Sequence, residues 1–399
     1  MSAKLRDFLF GRWRAVPVLG ITQILAWGAL FYPPVLMMPL IAADRGWSVS
    51  FSMGGFSLAL LVAGLVSPRV GAMIDRHGGH WVMAIGSIIG AIGLVALVHA
   101  EHPLAYLVVW GVLGAAMAAT LYDPAFATLG RIFGVSARSP ITALTLAGGF
   151  ASTVSWPATY ALIGVLGWRG TYLAYAALLA LVAAPLHALA LPRSRAEGDP
   201  QPPISGGKPV GRMPAKGAAF VLVATAFAAY AFVPSGLAAH LLAMFRRFGL
   251  DAGTVVLIGS LFGPAQVAAR LAEFLFARTV HPLAIARFAV AALVAAFALV
   301  AILGISVPVA ALFAVMFGAA NGLLTIARGT VPLALFGAAG YGHLIGRIAG
   351  PYLVIQAVAP LVLAVVSERL SDAAALALTA AFAVTALACL AMIRRPEPA

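Results

Sequence analysis

One cysteine, Cys389, in 399 residues excludes an intramolecular disulfide and the usual cysteine-rich metal sites. Charge is equally scarce: Asp, Glu, Lys and Arg make up 9% of the chain, against 63% hydrophobic residues. The mean hydropathy is +1.03. So few charges cannot coat a soluble domain of this length, and the solvent for most of the surface must be lipid. A nucleophile elbow, a phosphate-cradling glycine loop and paired catalytic carboxylates are all missing, so there is no enzyme signal and no implied cofactor. His240, His281 and His343 are scattered without metal-ligand spacing.

Acidic residues number 12 against 25 Lys and Arg, a formal charge of +13. Nucleic acid is one partner such a balance suggests, but the distribution points elsewhere. With both ends on the cytoplasmic side, only Arg45, Arg169, Arg246, Arg247 and Arg369 fall on the opposite face. Arg270 and Arg347 fall inside apolar runs, and the remaining 18 of the 25 are cytoplasmic. That is the positive-inside bias, which reports topology. The basic start (Lys4, Arg6, Arg12, Arg14) runs directly into an apolar segment of spanning length. No small-residue cleavage pattern follows, so a retained first span is expected.

Apolar runs of about 20 residues, the length that crosses a bilayer as a helix, predict twelve spans. They cover 17–40, 50–70, 81–100, 104–127, 139–163, 170–191, 218–240, 254–276, 283–304, 307–328, 341–366 and 373–393. Helices are expected because in lipid each backbone group must find its partner within the segment. The stretch 192–217 has linker composition, with Pro, Gly and mixed charge. It divides the chain into an N-terminal six-helix bundle, 1–191, and a C-terminal one, 218–399. The halves repeat weakly: Tyr32-Pro33-Pro34 with Arg45-Gly46 parallels Tyr230 to Pro234 with Arg247-Phe248-Gly249. Gly114 to Phe133 likewise parallels Gly318 to Phe336. Such a displacement is expected of parallel repeats flanking a midplane site.

Between two apolar runs stands Gly71-Ala72-Met73-Ile74-Asp75-Arg76-His77-Gly78. This Gly-x-x-x-Asp-Arg-x-Gly run resembles the signature loop of the major facilitator superfamily, whose members are twelve-helix secondary transporters. Where the family pattern continues with basic residues, this chain has Gly79 and His80. The resemblance implies an all-α membrane protein of two pseudo-symmetric six-helix bundles. It also implies a conformational latch, with Asp75 against the N-terminus of the eleventh helix and Arg131 or Arg138 as its basic partner. Exposed amides at such an N-terminus favour negative charge. In the second half Glu273, near Arg270 and Arg278, is the corresponding carboxylate. A merely solvated loop is the plainer alternative.

Arg270 lies about 8 Å to the cytoplasmic side of the eighth span's centre, four residues from Gln266 on the same face. Arg347 comes out at a similar depth in the eleventh span. A guanidinium there costs at least about 2.5 kcal/mol and should face a cavity or a partner. Two arginines converging on one cavity suit a carboxylate held by bidentate hydrogen bonds. Structurally, Arg270 could instead pair with Glu273. Arg347, in the small-residue stripe Gly342-x-x-x-Gly346-x-x-x-Gly350, could simply snorkel. Phe262 to Arg270 is similar to the eighth helix of monocarboxylate transporters and oxalate/formate antiporters, in which an arginine binds the substrate carboxylate. So is Gly148-Gly149-Phe150 through Trp156-Pro157 to Gly167-Trp168-Arg169. This chain departs from that branch in having Gln266 where an aspartate takes part in proton coupling, and no lysine in its first span.

Asp123, near the rim of the fourth span, either titrates or pairs with Arg328 as a gate between the halves. Gln23, Trp27, Tyr32, Tyr230, Asn321 and Gln356 are polar or amphipathic groups at lipid depth, expected to face the interior as cavity lining or helix contacts. The reading is a secondary transporter, not an enzyme, for a small organic anion, a mono- or dicarboxylate. A coupled proton or counter-anion and the lipid bilayer are its other partners, and no nucleic acid. Compact loops suggest a bacterial inner membrane, and a monomer is expected. An efflux carrier for drugs or lipophilic compounds is the alternative within transport, and a non-transporting membrane sensor the alternative outside it.

Overall fold

A computed structural model of the chain describes residues 11–193, 217–277 and 279–394. Most of the linker at 192–217, the residue Arg278 and the basic N-terminal residues Lys4 and Arg6 lie outside the described residues. Among the described residues every element is a helix. Ten helical runs are long and apolar enough to cross a membrane. One of them, Pro103–Ala190, has 88 residues, about 130 Å at 1.5 Å per residue and far too long for one crossing. Left-handed glycines, Gly134 at φ 59° and Gly167 at φ 64°, divide it into three. The ten runs therefore carry the twelve spans.

The chain forms two compact units, Met1–Ser205 with Ala338–Gly350, and Gly206–Gly337 with Pro351–Ala399. In the first, α1 (Ala15–Ala26) continues through a π-helical turn, Trp27–Phe31, into α2 (Pro34–Arg45). Then come α3 (Val49–His77), α4 (Gly79–His99), α5 (Pro103–Thr120), α6 (Tyr122–Phe133), α7 (Arg138–Gly148) and α8 (Ala151–Leu178). Helix α3 packs on α5, α4 on α5 and α8, and α1 on α7. In the second unit are α9 (Ala218–Arg247), α10 (Ala252–Ser260), α11 (Phe262–Phe276), α12 (Pro282–Leu303), α13 (Val307–Phe336) and α15 (Asp372–Met392). There α11 and α12 pack on α13, and α9 on α15. Helix α14 (Tyr341–Arg369) has its first ten residues in the first unit and the rest in the second.

Local chemistry starts these helices. Ser48, Asp251 and Ser371 accept backbone N–H bonds from Phe51, Thr254 and Ala374 at 3.1, 3.0 and 3.0 Å, satisfying donors that the first turn leaves free. His102 and His281 do the same through Nδ1, each followed by a proline at the first helical position. The repeat seen in the sequence is repeated in the backbone. Left-handed glycines at 46 and 134 recur 203 positions later, at 249 and 337. A Cβ on Gly114 would lie 2.3 Å from Ala59 O, and one on Gly318 2.6 Å from Phe262 O. Glycine thus permits the same close helix approach in both units.

Several helices outrun the apolar stretches that announce them. The first continues to Arg45, the fourth to Phe133 and the tenth to Phe336, against expected ends at 40, 127 and 328. Hydropathy marks the lipid-bathed part of a helix, whereas its end is set by the glycine or cap beyond. The fourth span is also not one unbroken helix. Leu121, at φ −80° and ψ −157°, separates α5 from α6, and Asp123 stands in the first turn of α6.

Candidate functional site

Around Asp75 the first unit brings two helix segments into backbone contact. The Asp75 carboxylate accepts from Gly342 N–H at 2.9 Å and His343 N–H at 2.7 Å. These are first-turn donors of α14, so a charged acceptor is placed where the helix dipole favours it. His343 Nδ1 lies 3.2 Å from Pro68 O, a carbonyl about two turns before Asp75 on α3. Nothing larger than glycine fits between the two backbones: a Cβ on Gly71 would stand 1.9 Å from Gly342 O, and one on Gly346 2.3 Å from Ser67 O. Gly350 approaches Gly64 O in turn, so the stripe 342–346–350 runs antiparallel along 71–67–64. Gly78, at φ 82°, ends α3 with its N–H on Ile74 O. Arg76 is exposed, and its carbonyl accepts from the Arg131 guanidinium at 3.5 Å. Arg138 opens α7, and Arg347 is half-buried on the same α14 segment as the glycine stripe.

In the second unit Arg270 is 3% exposed and Glu273 5%. Arg270 Nε–H points at Gly322 O at 3.4 Å. Gly322 has no side chain because α11 is in the way: a Cβ there would lie 2.5 Å from Gln266 O. Gln266 itself is half-buried. One residue before Gly322, Asn321 accepts the hydroxyl hydrogen of Tyr230 through its side-chain oxygen, joining α13 to α9. Further along α13, Arg328 is 7% exposed and its guanidinium sits 4.3 Å above the Tyr352 ring, a cation–π contact. Arg270, Gln266, Tyr230, Asn321, Glu273 and Arg328 thus belong to one unit. Asp75, Asp123, Arg347, Trp27 and Tyr32 belong to the other.

Prolines explain which polar groups hold the helices together. Pro124 has no N–H, so the carbonyl of Thr120, four residues back, lacks its helical donor. Gln23 Nε2 supplies one at 2.7 Å and also reaches Leu121 O at 3.3 Å. Its Oε1 in turn accepts from Trp27 Nε1 at 3.0 Å. Pro360 frees Gln356 O in the same way, and Ser235 Oγ donates to it at 2.6 Å. His240 Nε2 lies 3.0 Å from the carbonyl of Pro360. Such side-chain replacement is what lets proline persist in a membrane helix. The α5–α6 break is what the sequence reading missed. Pro124 was its signal, but the partner that stabilises the break lies 97 residues away.

Among curated proteins, the chain is 32% identical over 152 residues to human monocarboxylate transporter 11, and 34% identical over 134 residues to its mouse counterpart. These stretches cover 37% and 33% of this chain, and 31% and 28% of those proteins, so the match spans about a third of the curated relatives. Among solved structures, that of the human organic anion transporter MFSD10 (TETRAN) superposes with a TM-score of 0.72 at 18% identity. It covers 95% of this chain and 99% of that one, a likeness of fold. The family model of the Major Facilitator Superfamily matches residues 18–349. With its apolar helical spans and that match over most of its length, this chain is an integral membrane protein that belongs to the Major Facilitator Superfamily, a family of transporters.

Proposed function

We propose that the chain is a secondary transporter moving a small organic anion, a mono- or dicarboxylate, by alternating access of two six-helix halves. The observation that carries this reading is Arg270, a guanidinium at 3% exposure inside a membrane-spanning helix. A buried intramembrane charge is expensive and is held for a purpose. Its planar fork of donors matches a carboxylate in bidentate fashion. The similarity of a third of the chain to proteins named monocarboxylate transporters supports the same substrate class. In this scheme Gln266, Tyr230 and Asn321 shape the pocket around Arg270, and Arg347 is a further anion contact on the first unit. Asp75 latches one state through the α14 amides, Glu273 serves the second half, and Asp123 in the first unit and Arg328 in the second are gating residues. The membrane is a bacterial inner membrane, and the distribution of Lys and Arg supports an orientation with both termini cytoplasmic.

Purified protein in liposomes, offered a panel of mono- and dicarboxylates, tests this. Wild type is expected to take up carboxylates, and Arg270→Ala to lose uptake while remaining monodisperse and helical. Unchanged uptake in Arg270→Ala would remove the proposed ligand. Movement of cationic dyes alone would replace the anion reading by drug efflux.

A further inference from the structure

Three helices of the first unit depart from regular α-geometry at one place. The first span makes its π-turn at Trp27–Phe31, with Tyr32 N–H bonded five residues back to Trp27 O at 3.0 Å. The fourth span breaks at Leu121, and the next pauses between Gly148 and Ala151. Tyr122 connects all three. Its ring centroid is 5.1 Å from that of Trp27, and a Cβ on Gly148 would stand 2.4 Å from its hydroxyl. Gln23 fixes the arrangement by spanning from the Trp27 indole to the carbonyls at the break. Trp27 lies near the middle of the 34-residue helical run Arg12–Arg45, the part that a bilayer-crossing helix places deepest.

The aromatic rings here do not bury one another completely. Trp27, Phe31 and Tyr32 stay half-buried, and Trp156, 6.4 Å from Tyr32 by ring centroids, is 37% exposed. Broken backbone at membrane depth is tolerated only where protein or a cavity covers it, not against lipid. The ring surface left uncovered on Trp27, Tyr32 and Trp156 lies beside these breaks. A π-turn within a helix also commonly marks a functional site, and discontinuous spans mark the substrate region of transporters. The second unit provides no such place on its counterparts of the first and fourth spans: α9 and α13 run unbroken over 30 residues each.

We infer that Trp27, Tyr32 and Trp156, backed by the buried Tyr122 that stacks on Phe126, form a seat in the first unit for a planar aromatic group of the transported molecule. This rests on the organic-anion reading and narrows it to aromatic monocarboxylates. Mutually tilted rings, Trp27 to Tyr32 and Tyr32 to Trp156 with centroids 5.9 and 6.4 Å apart, offer both faces and edges to an incoming ring. The quadrupole of the ring rewards that geometry with an aromatic guest over an alkyl one of equal size. Gln23 is a positioning residue: it holds the Trp27 indole and does not itself meet the guest.

Calorimetric titration of the full chain in nanodiscs tests the seat with two matched pairs of probes. One is phenylacetate against cyclohexylacetate, the other the corresponding neutral amides. Wild type is expected to favour each phenyl compound by about tenfold. Trp27→Ala should abolish that preference, and Trp27→Phe, which keeps a ring, should retain most of it. Trp156→Leu should reduce it with no change in the protein's helicity. Arg270→Gln should weaken both carboxylates equally and leave the phenyl preference intact. Equal binding of phenyl and cyclohexyl compounds by wild type would overturn the seat, as would a preference untouched by Trp27→Ala and Trp156→Leu. Selective binding of tetraethylammonium in place of all four would overturn it too, by assigning the rings to a cation. Amides binding as well as acids, with Arg270→Gln silent, would overturn the anion reading while the phenyl preference upheld the seat. Failure of every probe to bind would remove both.

Discussion

Asp44 and Arg169 form a two-pronged ion pair at 2.8 and 2.7 Å across 125 positions of sequence. In the second unit Arg247 and Asp372 are again 125 positions apart, at 2.5 and 2.8 Å, with the charges exchanged. Both positions shift by 203 between the units (44 to 247, 169 to 372), the displacement that relates the left-handed glycines. Each pair ties the end of a unit's first span to the start of its sixth. The repeat has kept the bond and not its polarity.

Polarity should therefore be free to invert in the first unit as well. Asp44→Arg with Arg169→Asp is expected to unfold at nearly the wild-type temperature, while Asp44→Arg alone is destabilised. The side chains of Arg169 and Asp44 are 45% and 31% exposed. Screening thus limits the coupling to about 0.5 kcal/mol, measurable in a double-mutant cycle by thermal unfolding in detergent. A swapped pair no better than the single variant would show that the bond does not depend on charge alone.

Removing the Asp75 carboxylate should release the start of α14. Asp75→Ala deprives Gly342 N–H and His343 N–H of a charged acceptor, and each such bond contributes about 1.5–3 kcal/mol. Hydrogen exchange followed by mass spectrometry is expected to show faster exchange confined to the first turn of α14. Protection unchanged at that turn would place the amides' principal acceptor elsewhere.

Glycine spacing makes a sharper steric prediction. Gly71→Ala would put a methyl group 1.9 Å from Gly342 O, overpacking that costs about 1–3 kcal/mol. Gly54→Ala, in the same helix α3 with nothing within 4 Å, is expected to be neutral or to stabilise by up to about 1 kcal/mol. Thermal unfolding of the two single variants, compared side by side, decides it.

Gln23 and Pro124 should be coupled. Gln23→Leu leaves the Thr120 carbonyl without its side-chain donor, a loss of about 1–3 kcal/mol. Pro124→Ala restores the N–H that α-helical geometry would aim at that carbonyl. The double variant is expected to be more stable than Gln23→Leu alone, and strict additivity in the cycle would contradict the assignment.

Acid should loosen the start of α10. Asp251 is fully exposed, and its carboxyl is held below the ordinary 3.8 chiefly by hydrogen bonding to Thr254. A depressed folded value means the contribution is present above the unfolded pKa and disappears as pH falls through the folded one. Exchange at the Thr254 amide is expected to accelerate below pH 3.8 relative to Asp251→Asn, which keeps a capping oxygen but does not titrate.

Hydropathy alone was enough to read the twelve spans, because a bilayer demands long apolar helices and leaves few other ways to arrange such a chain. The Gly71–Gly78 run pointed to the family for a similarly local reason: its glycines and aspartate sit within two turns of each other. The aromatic seat was not legible. Trp27 and Tyr32 stood out singly, but the proximity of Trp27 to Tyr122 depends on three backbone breaks that no window of sequence contains. Arg270 shows the intermediate case: its burial follows from its place in an apolar run, while its contact with Gly322 depends on a glycine 52 residues away.

The 97 residues between Gln23 and Thr120 also measure time. A ribosome adding roughly 5–20 residues per second delivers the first span several seconds before the carbonyl that its amide will bond. During that interval a buried carboxamide waits in or beside the bilayer without its eventual acceptor. The biosynthetic machinery must shelter it, and the arrival of the fourth span is the earliest moment at which the first can settle.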